Sequence, residues 1–421
     1  MSTVQDSVTR MDTFLYELYE AAKYRHPNIE PYFWGPGYKG YYQPDTMSSN
    51  INRVFGCGYF SIVFLHSGSP EIQDEFDQAT HSLSCGTLLF VKAGDCNNNQ
   101  CLWEANLLHA NVTMVRYAHE ALEMYSVERI LEMKKFKYND RKDLAFQLIA
   151  HVPDTANEWD FFPVDRWEEK TTNAMLIGKV DAGYYPIRLT INEAIKHHQT
   201  FITKLISPPP FVKPFNHFIK SRPKTLNWNS SRHSYQREIL RSFAHSIRST
   251  KICIFDGSIE EKAIRKFAQV MLSGCVIASN LVTEHDSFLK GNIIQLGLYD
   301  SIEVINEKIH NALQNETELQ RKASNCLSYA RKQLTGLKEL DIIINLSNRY
   351  RSGQRGYIFP YGFTSKCRRY HQSDTDRFFK SKEIQFVPPW CRIDERLKGF
   401  GNPIPGWIQP GEYHWNGPTP P

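Results

Sequence analysis

Residues 251–296 read KICIFDGSIEEKAIRKFAQVMLSGCVIASNLVTEHDSFLKGNIIQL. Lys251 to Phe255 is a short β-rich apolar run, and Asp256-Gly257-Ser258 breaks it before a helical pattern begins. In that pattern Ala263, Phe267, Val270, Met271 and Gly274 fall at i, i+4, i+7, i+8 and i+11, one apolar stripe able to lie on a sheet. Glu261, Arg265 and Gln269, four apart, share the other side. Gly274 ends the helix, Cys275 to Ser279 reads as a second buried strand and Ile293 to Leu296 as a third. The unit is β-α-β-loop-β, with a polar helix face beginning where a parallel sheet exposes its carboxyl edge.

Open α/β sheets hold ligands at such edges, where a helix start offers unpaired N–H groups and partial positive charge to an anion. Arg265 adds a planar, always-charged fork suited to phosphate oxygens. Ser258-Ile259-Glu260-Glu261 also fits the capping box S-x-x-E, in which Glu261 caps the helix and Arg265 is a solvated charge. The residues alone leave both readings open.

The run RKFAQVMLSGCVIAS, followed by a spaced acidic-hydrophobic segment, IIQL and the amphipathic helix SIEVINEKIHNAL, resembles the carboxyl-terminal half of CgeB-like (spore maturation protein-like) glycosyltransferases. More distantly it is similar to the large retaining family of GT-B glycosyltransferases, group 1 or family 4. The resemblance implies an α/β GT-B fold, two Rossmann-like domains facing across a cleft, with an irregular C-terminal tail. In the larger family two glutamates eight positions apart bracket the helix start, and the second contacts the sugar nucleotide. The matching positions here hold Glu261 and Gln269. Gln269 keeps hydrogen-bonding capacity without charge, which sets a catalytically inactive binding or scaffold protein beside the enzyme as the alternative.

At 421 residues and 41% hydrophobic composition, the chain has material for two domains with sizeable cores. The division expected is an N-terminal helix over 1–27, an acceptor domain over 28–165, a nucleotide-sugar domain over 166–350 and an aromatic, Pro-rich wrapping tail over 351–421. A net charge of +5 without a block of like charges argues against a nucleic-acid partner and suits a small anionic ligand. The first 25 residues lack the apolar centre of a signal peptide, and no apolar run approaches the roughly 20 residues of a membrane span, so a cytoplasmic location is expected. The nine cysteines read as reduced thiols, and Cys96 and Cys101, with no histidine at finger spacing, suggest no metal site.

The first domain reads as strand 28–34, the turn Gly35-Pro36-Gly37-Tyr38-Lys39-Gly40, a helix around 48–55 and a strand at 59–65. Strands 86–92 and 112–117 follow with helices 102–109 and 119–135, an alternation that argues for a parallel sheet. Gly35 and Gly37 alone make a tight turn; CgeB-like sequences carry a similar one, which implies that Tyr38 and Lys39 reach a ligand. Asp95 follows a strand, His119 opens a helix after another, and His151 ends a strand beside Pro153, so these three are the candidate acid–base groups. Each also has an ordinary structural reading, as a turn or core residue.

The second domain opens with strand 173–180 and the turn Asp181 to Arg188 leading into helix 189–201. A Y-P-[LI]-R turn recurs in CgeB-like proteins, and the resemblance places Lys179, Tyr185 and Arg188 at the donor diphosphate. Physically, Arg188 near a helix N-terminus opposes the helix dipole and requires an anionic partner. The donor-binding set expected is Lys179, Tyr185, Arg188, Ser258, Glu261, Arg265, Lys266 and Gln269. Residues 202–234 read as an irregular excursion, and helices 235–248, 301–313, 316–333 and 338–350 complete the pattern. The resemblance implies sugar transfer from a nucleotide-sugar co-substrate to an unknown acceptor, with retention of configuration. Lacking a D-x-D pair at a strand end, the chain is expected to need neither metal nor other cofactor.

Overall fold

A computed structural model describes residues 13–32, 34, 40–42, 45, 47–66, 83, 85–93, 110–117, 148–178, 180, 184–197, 240–258, 261–282, 284–354 and 356–358. In chain order the elements are α1 (Thr13–Arg25), α2 (Met47–Phe55), β1 (Ile62–His66), β2 (Leu88–Lys92), β3 (Val112–Val115), β4 (Leu148–His151), β5 (Thr172–Leu176) and α3 (Pro186–Lys196). Then come α4, described over 240–248, β6 (Thr250–Ile254), α5 (Lys266–Leu272), β7 (Val276–Ser279), α6 (Asp286–Leu289), β8 (Ile294–Gln295), α7 (Ile302–Gln314), α8 (Glu316–Gln333), α9 (Gly336–Arg351) and β9 (Gly356–Ile358). Two compact units result, one of residues 1–6, 32–153 and 341–421, the other of 7–31 and 154–340.

Each unit is built on one parallel sheet, which is the α/β class the alternating pattern predicts. In the first unit the order is β1-β2-β3-β4-β9. Its strands are near-continuous apolar runs because both faces are covered: Phe90, Val91, Val112, Met114 and Ala150 are fully buried. Asn111 ties the later chain to this sheet. Its Oδ1 accepts the Leu89 N–H at 2.7 Å, and its Nδ2 donates to the Tyr350 hydroxyl at 2.9 Å.

In the second unit the order is β5-β6-β7-β8, and period-two alternation sorts β6 between two cores. Cys253 and Phe255 join Phe267, Val270, Met271 and Ala263 on one face. Ile252 and Ile254 join Ile187, Ile191, Ile305 and Ile309 on the other. Phe255 meets Phe267 edge-to-face, centroids 4.9 Å apart, and each such fully buried side chain contributes about 1.5–3 kcal/mol. The stripe read from 263–271 is therefore the face of α5 that lies on the sheet. Gly274, at φ 62°, ends the helix in a Schellman turn, with Cys275 N–H donating to Val270 O at 3.2 Å and Gly274 N–H to Met271 O at 3.1 Å.

Four expectations are corrected. The helix after β6 begins at Lys266, not at Ser258 to Glu261. Ser258 and Glu261 have φ of 71° and 53°, which no α-helix admits, so no capping box forms there. Tertiary bonds override the local signal: Gly257 N–H donates to Asn280 Oδ1 and Ala263 N–H to Glu284 Oε2, both at 2.9 Å. The described residues of 28–34 form no strand. Tyr32 instead packs edge-to-face on Phe55, Tyr59 and Phe60. The helix expected over 189–201 starts at Pro186, whose fixed φ suits a first turn. The cysteines are not all thiols: Cys57 with Cys85 and Cys253 with Cys275 are disulfide-bonded, Cα atoms 5.7 and 6.2 Å apart, and Cys326 is free and buried.

Candidate functional site

The carboxyl edge of the second sheet gathers the charged groups of that unit. β6 runs out into Phe255 and Asp256, and β5 into Ile177 and Gly178. Across from them Pro186 starts α3, so the backbone N–H groups of its first turn face the end of β6. Asp256 fills that position. Its Oδ2 accepts the N–H of Ile187 at 2.9 Å and of Arg188 at 3.4 Å, and its Oδ1 accepts from Arg188 Nε at 2.6 Å. Arg188 Nη2 also donates to Asp256 O at 2.9 Å. Arg188 is 1% exposed and Asp256 0%, so the pair lies inside the protein. Burial pushes the Asp256 carboxyl above the usual range, and Arg188 opposes that push. The anionic partner that Arg188 requires is thus a carboxylate of its own chain.

Around this pair the expected donor residues divide. The Tyr185 ring lies 3.5 Å under the Arg188 guanidinium carbon. Gly178, at φ 108°, sits against Arg188 and Lys266: a Cβ built there would be 2.7 Å from Arg188 Nη1 and 2.8 Å from Lys266 Cε. Arg188 and Lys266 therefore meet at Gly178, and Tyr185 stacks on Arg188. Ser258 and Glu261 stand in the loop that follows β6, and Gln269 is buried one turn into α5. Arg265 is turned elsewhere, paired with Glu17 of α1 at 2.6 Å and donating to Thr155 O at 3.2 Å. Lys179 lies outside the described residues.

The loops after β6 and β7 are held in costly conformations. Of the four non-glycine residues with positive φ among the described residues, Ser258, Glu261 and His285 lie on these loops and Cys85 on the first unit. Strain of this kind, of order 1–3 kcal/mol each, persists only where surroundings enforce it, and it gathers at ligand sites. The enforcing groups are Asn280 and the buried Glu284, which hold Gly257 and Ala263. His285 Nδ1 lies 2.7 Å from the Tyr329 hydroxyl. Burial lowers His285 to about 4 and raises Tyr329 to about 12, so both are neutral at physiological pH.

Asp256, Lys262, Asn280 and Glu284 are polar residues of this edge that the sequence pattern did not single out. Asp256 was legible only as a strand breaker, because its partners stand 68 and 69 residues away. In the first unit His151 ends β4 and is buried, in register with Val115 of β3, while the fully buried Lys92 ends β2. Asp95, His119, Gly35, Gly37, Tyr38 and Lys39 lie outside the described residues. Among the described residues no group of histidine, cysteine and carboxylate side chains could hold a metal ion, and no helix is long and apolar enough to cross a membrane.

Fold and site together define a two-unit protein with a parallel α/β sheet in each unit and a polar carboxyl edge on the second. No protein-family model and no curated protein matches the chain. Solved structures similar to it include a sucrose-phosphate synthase from Thermosynechococcus elongatus, 11% identical, covering 77% of this chain and 82% of that chain with a TM-score of 0.44. A glycosyltransferase from Rickettsia africae is 10% identical over 73% of this chain and 81% of its own, TM-score 0.43. An α-glucosyltransferase in complex with UDP-glucose and DNA containing an abasic site is 11% identical over 68% of this chain and 80% of its own, TM-score 0.43. They assign no role to any residue here.

Proposed function

We propose that the chain is a glycosyltransferase that binds a nucleotide-sugar on its second unit and passes the sugar to an acceptor held by the first. The observation that carries this reading is the meeting of Arg188 and Lys266 at Gly178, with the Tyr185 ring stacked on Arg188, in a unit whose loops after β6 and β7 are fixed in strained conformations. The glycine lets the two cations pack close together, a pairing of positive charge that suits a diphosphate, and the aromatic ring stacked on Arg188 adds a face for a base or sugar. Charge on the leaving diphosphate falls to Arg188, Lys266 and Lys179 instead of a metal, with Glu261 holding sugar or ribose hydroxyls. Arg265 joins only if its pair with Glu17 opens. Transfer with retention follows from the family resemblance, with Asp95, His119 and His151 as the candidate acid–base groups. The acceptor's chemistry is open.

A specific observation favours the second reading, a non-catalytic nucleotide-binding scaffold. Gln269, where the larger family has a glutamate, is buried and uncharged, and Arg188 is already engaged by Asp256. Calorimetric titration with UDP-, GDP- and ADP-sugars, run beside an assay for released nucleoside diphosphate, separates the two. Binding with turnover is the expected result. Binding without turnover supports the scaffold, and no binding to any member of the panel overturns both.

A further inference from the structure

Two observations on separate parts of the chain point to one modification. The first is the state of the cysteines. Among the described residues four of five are paired, Cys57 with Cys85 and Cys253 with Cys275, and the fifth, Cys326, is buried. The second bridge lies inside the core of its unit, with both residues fully buried. Bridges built into a fold form and persist in oxidising compartments, whereas cytosolic thiols are kept reduced. Such a compartment, in place of the cytoplasmic location expected from the sequence, opens a second chemistry to the chain: transfer of an oligosaccharide to the side-chain amide of an Asn-x-Ser/Thr triplet.

The second observation is how the fold sorts these triplets, which stand at Asn111, Asn229, Asn315 and Asn345. Asn229 lies outside the described residues. Asn111 is consumed by the first sheet: its Oδ1 accepts from Leu89 N–H, its Nδ2 donates to the Tyr350 hydroxyl, and Thr113 is buried in β3, so a sugar on that nitrogen would part the sheet from α9. Asn345 lies within α9, half-buried, its Oδ1 accepting from Arg349 Nε at 2.7 Å, with Leu346 and Ser347 buried behind it. Asn315 differs. It is the single residue between α7 and α8, and Asn315, Glu316 and Thr317 are all exposed. Its Oδ1 caps α8 by accepting the Glu318 N–H at 3.1 Å, while its Nδ2 donates no hydrogen bond among the described residues. We propose that Asn315 carries an N-linked oligosaccharide. Nδ2 attacks the anomeric carbon of a lipid-diphosphate-linked oligosaccharide; the C–N bond forms as the C–O bond to the diphosphate breaks, the amide proton passes to a base of the transferring enzyme, and the lipid diphosphate leaves. The modified amide keeps its carbonyl oxygen, so the helix cap survives. The glycan also stands clear of the charged edge of its own unit. Glu316 bonds Lys251 and Trp167, at the starts of β6 and β5, the opposite end of the sheet from Arg188 and Asp256.

The test is mass spectrometry of the full chain isolated from the cells that make it, after enzymatic release of N-glycans in heavy-oxygen water, which leaves a labelled aspartate wherever an asparagine bore a glycan. The tryptic peptide of residues 309–321, IHNALQNETELQR, should carry the label at position 315 and none at Asn311, its internal control for spontaneous deamidation. Asn111 should be recovered as asparagine. Thr317→Ala removes the hydroxyl of the triplet, leaves the Asn315 cap in place and should abolish the label; Thr317→Ser should restore it. An Asn315 recovered only as unmodified asparagine overturns the proposal, as does a label that persists in Thr317→Ala or a glycan on Asn111. The wild-type measurement stands by itself if a variant does not fold, and none of these readouts requires a nucleotide to bind.

Discussion

Replacing Arg188 with alanine isolates the physical core of the site. Wild-type Arg188 gives Asp256 a 2.6 Å charge-assisted bond and a second donor to its carbonyl. With both partners buried, removing one leaves a carboxylate inside the protein held only by backbone N–H groups. Breaking a buried pair in this way costs about 3–5 kcal/mol. At about 2–4 °C per kcal/mol for a unit of this size, the melting temperature should drop by about 6–20 °C. The assay is thermal denaturation of the ligand-free protein. Without the Arg188 side chain, only the backbone N–H groups of residues 187 and 188 oppose the burial that raises the Asp256 carboxyl. The variant's folded state then binds more protons than its unfolded state, so its deficit should be small in acid and grow as pH rises above the ordinary carboxylate range. The double change Arg188→Met with Asp256→Leu should recover most of the loss, because no charge is then left buried. A loss below about 1 kcal/mol, typical of a surface pair, or additive losses in the double variant, would refute the reasoning.

Two further outcomes are checkable on stability and chemistry. Gly178→Ala places a Cβ at φ 108° against Arg188 Nη1 and Lys266 Cε, and chemical denaturation should record a loss of about 1–3 kcal/mol; a neutral variant means that the backbone there is not tightly held. Peptide mapping without reduction should recover Cys57 linked to Cys85 and Cys253 linked to Cys275, with the Cys326 thiol, pushed up to about 12 by burial, alkylated only after unfolding. Closing loops of 28 and 22 residues, each bridge should stabilise by about 3 kcal/mol; recovery of all four as free thiols refutes the pairing.

What the sequence disclosed was what nearest neighbours decide. The stripe Ala263, Phe267, Val270 and Met271 identified the buried face of α5, because helical period and burial are set within one segment. Gly274 as its stop held for the same reason: a left-handed C′ position selects glycine. The start of that helix was misread because Ser258 to Glu261 carries a sound local signal that Asn280 and Glu284, from the next strand's loop, override. Arg188 was recognised as needing an anion, but the anion stood 68 residues on. The partner of Arg265 was further still, in a helix near the chain's start, and no spacing rule joins the two.

These pairings change what the second sheet's edge offers a ligand. An anion at the start of α3 meets a position already filled by a carboxylate, so the local charge is close to neutral where a lone arginine at a helix N-terminus predicted it positive. A diphosphate therefore has to take Arg188's outer nitrogen and Lys266 while leaving the pair intact, or displace Asp256 from the guanidinium. The first route keeps the buried bonds and meets the two cations beside Gly178, whose missing Cβ is the space that Arg188 Nη1 and Lys266 Cε fill. The second costs the desolvated pair unless Asp256 takes up a proton, which its raised carboxyl makes easier than for an exposed aspartate. Enzyme and scaffold diverge at this step: a scaffold needs only the first route, whereas a transferase has to meet growing charge on the leaving group, and Arg188 can do so only to the extent that Asp256 lets it go.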